Sequence, residues 1–347
     1  MKKTLAAVAI LGAFAGSALA DVTVYGKLDM GLGYTNLDGA ESVEMKSGVT
    51  GASRFGLKGT EKIGEDLTVG FNYEFGLDAD TGVVKHGENQ TRVSALTVKG
   101  SWGEILAGRY GTLDSGTGPA DFVAGMSALG TGWYSDLGGQ QLVMHTDARR
   151  NNVITYKAPA FGGLTVAAQV SSGASEDATA GDKEFTHNAD MYYGVAAKYQ
   201  AGAFGAGLVV TMEKWDQTQA EAQDDALNVT AGVNYNFGFA TAYLAANYYE
   251  DGTDGHDQYG VVASVKAPVC GGTMTAEVGY GEGSNQKSIF GDKAVAEDVT
   301  NTFVAATYLY PLSKQTSLYG AAGWHQEEAD EVTTDVYKAA VGIVHNF

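Results

Sequence analysis

Two sets of charged side chains could act on solutes in this chain, one acidic and one basic. Residues 111–148 form a long stretch that carries Asp114, Asp121 and Asp136 and contains no Lys or Arg. The basic candidates, spread over the first half of the chain, are Lys27, Arg54, Arg92 and Arg149. Acids that face bases across a narrow water-filled gap would orient zwitterionic solutes and filter ions by charge. Such chemistry needs no covalent step.

Catalytic and metal-binding patterns are missing from the sequence. There is no Gly-x-Ser-x-Gly motif, and the six histidines show no metal-ligand spacing. His325 is followed by Gln326-Glu327-Glu328 and lacks the second histidine of a zinc-protease helix. We therefore expect no enzymatic activity, no cofactor and no metal site.

The elements that would hold the charged residues are strands of alternating polarity. In residues 227–237, odd positions are apolar or aromatic and even positions are polar or Gly. This period of two is typical of a strand with one apolar and one polar face. The same alternation sets Val24 and Leu28 against Lys27, and it places Arg54 opposite Leu57. Lys27 and Arg54 are thus predicted on polar faces.

The same alternation predicts the face on which two further arginines lie, with one conflict. Arg92 is opposite in parity to Val93, and Arg149 is opposite to Ile154. Both arginines are therefore predicted on the polar side. Leu96, however, shares the parity of Arg92, so the alternation breaks within that strand.

The connections between strands alternate between short and long. Residues 101–104 resemble a tight turn, whereas the connections at 36–49 and 111–148 are long. Residues 36–49 are also acidic. We count sixteen strands of about ten residues, the length that a tilted strand needs to cross a bilayer. Residues 239–250 are apolar on both faces, as expected of a strand at a subunit interface or beneath an infolded loop. The pattern predicts an all-β, closed antiparallel transmembrane barrel with short periplasmic turns and long extracellular loops; a soluble β-sandwich is the alternative.

Composition excludes several other classes. The 347 residues include 48 Gly, which disfavours a helical bundle because Gly costs about 1 kcal/mol per helical position. An apolar share of 44% is enough to form a core, so disorder is not expected. The net charge of −19 would repel phosphates, so nucleic acid is not an expected partner. One cysteine excludes an internal disulfide.

The first twenty residues have the features of an export signal. Lys2 and Lys3 precede an apolar core at 5–14, and Ala18-Leu19-Ala20 resembles a cleavage site. A transmembrane anchor is the alternative, although the apolar run is short for one. We therefore predict two parts, a signal peptide at 1–20 and a single barrel domain at 21–347.

Several motifs, in order along the chain, resemble those of the general diffusion porins of Gram-negative outer membranes, especially the beta-proteobacterial type. They are VTVYGKLD at 22–29, SRFGLKGTE at 53–61, VKGSWGE at 98–104, RRNNVITY at 149–156 and VGIVHNF at 341–347. The last motif departs from the family pattern, since Val344 stands where an inward-facing Arg is usual. This departure and the acidic balance leave the preferred ion open.

The resemblance implies a homotrimeric, water-filled outer-membrane channel for passive diffusion of small hydrophilic solutes and ions. It implies that the third loop, 111–148, folds into the barrel opposite lumenal arginines at Arg54, Arg92 and Arg149. It also implies that the last strand is read by the barrel assembly machinery, through the shared face of Tyr337, Val341, Ile343 and Phe347. Lipopolysaccharide is the expected lipid neighbour. The alternatives are a substrate-selective channel for one anion or sugar, an adhesin or structural barrel, and an outer-membrane enzyme.

Overall fold

A computed structural model describes residues 22–85, 91–130, 137, 143–146, 149–172, 190–215, 225–252, 256–286 and 296–347. The described strands are β1 (Thr23–Leu37), β2 (Ala40–Ser47), β3 (Arg54–Ile63), β4 (Leu67–Asp78), β5 (Val83–Lys85), β6 (Thr91–Gly100), β7 (Gly103–Gly111), β8 (Arg149–Lys157), β9 (Leu164–Ser172), β10 (Met191–Ala201), β11 (Phe204–Lys214), β12 (Ala226–Asn236), β13 (Thr241–Glu250), β14 (Asp257–Val269), β15 (Gly272–Gln286), β16 (Ala296–Pro311), β17 (Thr316–Ala329) and β18 (Val332–Asn346). No helix in these ranges is long and apolar enough to cross a membrane.

The segments form one closed antiparallel barrel. β1 pairs with β2 along one half and with β3 along the other, so β2 and β3 are two parts of a single barrel strand. β5 and β6 share β4 in the same way. The barrel therefore has sixteen strands, as predicted, and the pairing of β1 with β18 closes it. Closure leaves no edge whose backbone groups would go unpaired in lipid.

Alternation along the strands separates an outer face from an inner one. On β1, Val24, Leu28 and Leu32 are exposed on the outside of the barrel, whereas Asp29 is fully buried inside. This is the alternation that the sequence predicts for a strand between lipid and lumen. The terminal strand obeys it too, and Val344 is buried on the inner side.

One predicted connection is wrong. Residues 36–49, expected to form a long loop, are mostly strand, because β1 and β2 extend to a two-residue turn at Asp38 and Gly39. Both residues have positive φ, 48° and 88°, which is the backbone of the tight Asp-Gly hairpin turn. The Asp-Gly pair was the signal in the sequence that predicts such a hairpin.

The main apolar core lies inside the barrel, where residues of the 111–148 loop pack on the inner wall. Leu113, Val123 and Met126 of the loop are buried in one cluster with wall residues such as Ala245 and Phe303. Ala245 belongs to the strand that is apolar on both faces, while its neighbour Leu244 is exposed outside. That strand lies beneath an infolded loop, one of the two placements expected from the sequence.

Candidate functional site

The described part of the infolded loop lies inside the barrel, where hydrogen bonds from its backbone fix it to the inner wall. Near its start, the Leu113 amide donates to Gln169 Oε1 at 3.1 Å. Further along, the Ala128 amide donates to Ser264 Oγ at 2.9 Å. Near its end, the His145 amide donates to Asn247 Oδ1 at 2.9 Å. We call strands β10–β15, which carry most of these partners, the loop wall.

Glycines of the inner wall make room for this close approach. A Cβ on Gly260 would lie 1.5 Å from the carbonyl oxygen of Val143, and one on Gly323 would lie 2.5 Å from that of Leu137. Met126 likewise fills the space beside Gly207. Any larger side chain at Gly260 would clash with the loop backbone at Val143. These glycines therefore determine how closely the loop fits the wall.

Asp114, one of the predicted pore acids, is 1% exposed and is bound to the loop wall. Its carboxylate accepts hydrogen bonds from the Tyr192 hydroxyl at 3.1 Å, the Thr211 hydroxyl at 3.1 Å and the Asn228 amide at 2.6 Å. Asn228 Oδ1 in turn accepts from Asn247 Nδ2 at 2.6 Å. Start and end of the loop are thus joined through two wall asparagines, and Asp114 serves as an anchor.

Asp121 closes a local turn within the loop. Its two carboxylate oxygens accept the Val123 and Ala124 amides at 3.1 and 3.0 Å. Burial raises the pKa of Asp121, and the charge of Lys198 partly opposes that shift. The third predicted acid, Asp136, lies outside the described residues.

Basic side chains border an open cavity of about 490 Å³ on the other side of the lumen. The basic wall consists of Lys27, Arg54, Lys58 and Arg92. Lys27 and Arg54 are direct partners across β1 and β3, so alternation places both on the inner face, together with Lys58. Loop residues 117–119 also line this cavity. The structure thus brings together three of the four predicted basic residues.

Glu74 is a member of this site that the sequence reasoning missed. Its carboxylate lies 2.7 Å from Arg92 Nε and 3.7 Å from Arg54 Nε, and it accepts the Tyr25 hydroxyl at 2.9 Å. The available signal was its position on the polar face of its strand, two residues from Asn72. Glu74 fixes two guanidinium groups that would otherwise repel each other.

A β-bulge explains how Arg92 reaches the lumen despite sharing parity with Leu96. The pairing of β4 with β6 shifts by one residue between Glu74 and Phe75. On the C-terminal side of the shift, Val93 and Ala95 face inward and are buried, while Leu96 is 61% exposed outside. Arg92, the extra residue at the shift, also points inward. The conflict in the alternation was therefore the mark of a bulge.

A second register shift determines which of the neighbouring residues Arg149 and Arg150 is buried. Pairing of β7 with β8 shifts between Gly108 and Tyr110, so parity counted from Ile154 does not extend to the start of β8. Arg150 is the buried arginine: it forms a bidentate ion pair with Glu213 at 2.6 Å and lies 4.6 Å from the Tyr192 ring centre. Arg149 is half-buried and is not among the residues that line the 490 Å³ cavity.

Three of the terminal residues assigned to assembly lie on the outer face of β18, and the fourth, Phe347, directly follows its last residue. Tyr337, Val341, Ile343 and Phe347 are 51%, 60%, 44% and 44% exposed. The backbone of Phe347 exchanges two hydrogen bonds with Gly26, at 2.9 and 3.1 Å, which extends the seam between the first and last strands. Within the described ranges, no group of three or more His, Cys, Asp or Glu side chains could hold a metal ion.

A closed sixteen-stranded barrel with a charged lumen and a loop folded inside it has the architecture of outer-membrane channels. The chain matches the family model described as Gram-negative porin over residues 5–330, and it belongs to that family. It is therefore an outer-membrane channel protein and not an enzyme.

Named relatives support this assignment. The chain is 31% identical to outer membrane porin protein 32 of Delftia acidovorans, over 92% of this chain and 88% of that one. It is 27% identical, over the full length of both, to an outer membrane porin protein of Bordetella pertussis. Among solved structures, an anion-selective porin from Comamonas acidovorans superposes with a TM-score of 0.68 at 24% identity, covering 95% of this chain and all of that one. At that identity the superposition shows the fold alone.

Proposed function

We propose that this porin forms a water-filled channel for passive diffusion of small hydrophilic solutes and ions, narrowed where loop 111–148 faces the basic wall. The observation that carries the proposal is the 490 Å³ cavity between that wall and loop residues 117–119. A cavity lined by charged and polar groups can hold hydrated solutes, whereas an apolar constriction would lose its water.

We further propose that the channel prefers anions. Among the described residues that line the cavity, four side chains carry a positive charge and the Glu74 side chain alone carries a negative one. The chain as a whole is strongly acidic, but an ion in a narrow passage responds most to the charges within a few ångströms. The low-dielectric barrel around the passage adds to this focusing. The anion selectivity stated for the Comamonas acidovorans neighbour agrees with this proposal.

The test is conductance of the purified protein in a planar bilayer, with the reversal potential measured across a tenfold KCl gradient. We expect discrete conductance steps and a reversal potential of the sign given by chloride preference. Absence of steps would contradict the channel, and cation preference would contradict the role of the basic wall. Conductance that saturates with one sugar or organic anion would instead support the substrate-selective alternative.

For export, we propose a signal peptide at 1–20 that precedes a single barrel domain at 21–347. For assembly, we propose that the barrel assembly machinery recognises the outer face of β18, and that the barrel forms a homotrimer in contact with lipopolysaccharide. An outward apolar groove of about 570 Å³ at the β1–β18 seam, lined by residues that include Met30, Met45 and Ile343, supports a protein or lipid partner there. Conductance steps in groups of three would support the trimer.

A further inference from the structure

A short segment beside the basic wall interrupts a barrel strand and turns into the lumen. β2 ends at Ser47 and β3 begins at Arg54, while β1 runs past both without a break. We call residues 48–53 the inner turn. Its Val49 is fully buried in a cluster with Tyr319, Ala340 and Val344, all on the inner wall. The turn therefore projects inward and packs on the wall beside it.

The inner turn is locked onto Asp29, whose side chain is fully buried. One carboxylate oxygen of Asp29 accepts the backbone amide of Thr50 at 2.7 Å and the Thr50 hydroxyl. The other oxygen accepts the Tyr319 hydroxyl at 2.9 Å. The Asp29 backbone amide donates to Ser53 Oγ at 3.0 Å, and its carbonyl accepts the Gly48 amide at 2.9 Å. Asp29 thus holds both ends and the middle of the turn.

Two cations of the basic wall touch this element. The ammonium of Lys27 lies 3.9 Å from Asp29 Oδ2, and Arg54 Nη1 donates to the Ala52 carbonyl at 3.4 Å. Gly51 leaves the space that the Lys27 ammonium occupies, because a Cβ at Gly51 would lie only 3.2 Å from it. The turn therefore forms a surface against which both long side chains rest.

We propose that the inner turn positions Lys27 and Arg54 in the cavity and so sets the strength of the channel's anion preference; this inference rests on the proposed function. Lys and Arg side chains are flexible, and a field concentrated at one place in the lumen requires that their charges stay close together. The contacts of Asp29, Thr50 and Gly51 provide that restraint. Asp29 acts through Lys27, since its own carboxylate is closed off from the cavity by its hydrogen-bond donors.

The test uses substitutions that leave the net charge unchanged. Gly51→Ala places a methyl group against the Lys27 ammonium, at a φ of 141° that a side chain disfavours. Because the displaced atom is the end of a flexible side chain, the barrel is expected to fold. Gly39→Ala is the matched control, a positive-φ glycine of the adjacent hairpin turn with nothing within 4 Å of its Cβ position. Thr50→Val removes the hydroxyl that binds Asp29, and Thr50→Ser retains it.

We expect Gly51→Ala to lower the chloride-to-potassium permeability ratio by less than about twofold, because the methyl group shifts the Lys27 ammonium by only a few tenths of an ångström and a φ of 141° strains the turn on which it rests. Thr50→Val should lower it by less, and Gly39→Ala and Thr50→Ser should match the wild type. In a Lys27→Gln background the effect of Gly51→Ala should largely disappear. A purely structural role for the turn would lower the melting temperature and leave the permeability ratio unchanged.

Two negative results are distinguishable. A wild-type channel without anion preference would overturn the proposed function, and this inference with it. A wild-type channel with anion preference, together with folded Gly51→Ala and Thr50→Val channels of unchanged permeability ratio, would overturn the inference alone. Heat-dependent migration of the barrel on gels shows in each case that the variant is folded.

Discussion

The two sides of the lumen use polar side chains in opposite ways. On the basic wall, Lys27, Arg54, Lys58 and Arg92 border an open cavity and are available to a passing ion. On the loop wall, residues such as Asn228 and Asn247 are buried and their hydrogen bonds hold the loop. A polar or charged residue near a pore can therefore serve either the solute or the fold, and burial with satisfied hydrogen bonds distinguishes the two roles.

The largest effect is expected where the loop wall allows no side chain. Gly260→Val would force a side chain into the Val143 carbonyl and displace the end of the loop. Overpacking of this kind costs roughly 1–3 kcal/mol or more, so the docked loop should open. Single-channel conductance should rise, and amide exchange at 112–130 should accelerate. Gly320→Val is the control, since nothing lies within 4 Å of the Gly320 Cβ position; wild-type conductance in Gly260→Val would refute the close fit.

The next effect concerns the anchor of the loop. Asp114→Ala removes the acceptor shared by Tyr192, Thr211 and Asn228, and a buried group that loses its partner costs about 1–3 kcal/mol. Hydrogen exchange should show faster opening at the start of the loop. Asp114→Asn, which keeps one acceptor oxygen, should lose less. Equal exchange in all three proteins would mean that the loop does not depend on this anchor.

On the basic wall, the acid in the cavity should weaken the anion preference. Glu74→Gln keeps the shape of the side chain and an acceptor for Tyr25, but removes the one negatively charged side chain among the described lining residues. The chloride-to-potassium permeability ratio should rise by about threefold or more, because one unit charge at roughly 6 Å in water changes the energy of each ion by about 0.7 kcal/mol, with opposite sign for the two ions. Reversal potentials measure this directly. A lower ratio would mean that Glu74 acts mainly by holding Arg54 and Arg92 in place.

The smallest effect is a pH dependence within the loop. The pKa of Asp121 is raised by burial, so the folded loop binds this proton more tightly than the unfolded chain does. Its contribution to loop docking is therefore greatest at low pH and is lost as the pH rises through the raised pKa. Amide exchange near 121–124, after correction for intrinsic rates, should be slower near pH 4, the ordinary pKa of Asp, than at pH 7. Asp121→Asn should abolish that difference; a difference that persists in the variant would exclude Asp121 as its source.

Much of this architecture is visible in the sequence because alternation is a local property. The period of two predicts the barrel, and it predicts that Lys27 and Arg54 share an inner face, where both residues line the cavity. The long stretch 111–148 stands out by its length. Strands that are apolar on both faces, such as β13, show that something covers them from inside.

The remaining details depend on features that alternation does not record. Two register shifts change the parity of the strands in which they occur. The shift between β7 and β8 separates Arg150 from Arg149, and the shift between β4 and β6 brings Arg92 to the lumen. The burial of Asp114 depends on donors that lie from 78 to 114 residues away along the chain. A count of strands also does not reveal the inner turn. Its position depends on Asp29 and on Tyr319, which donates a hydrogen bond to Asp29 from 290 residues further along the chain and packs against Val49.

The comparison of the two walls is tested most directly by one pair of reversal potentials. Arg54→Gln removes a charge from the basic wall and leaves the 2.7 Å pair of Glu74 with Arg92 intact, while Asp114→Asn removes a charge from the loop anchor. Both would be measured in the same KCl gradient as the wild type. We predict a chloride-to-potassium permeability ratio lower by about threefold or more in Arg54→Gln, the change expected in water from one unit charge at roughly 6 Å, and an unchanged ratio in Asp114→Asn. An unchanged ratio in Arg54→Gln together with a higher ratio in Asp114→Asn would show that the acid of the loop, and not the basic wall, controls ion passage.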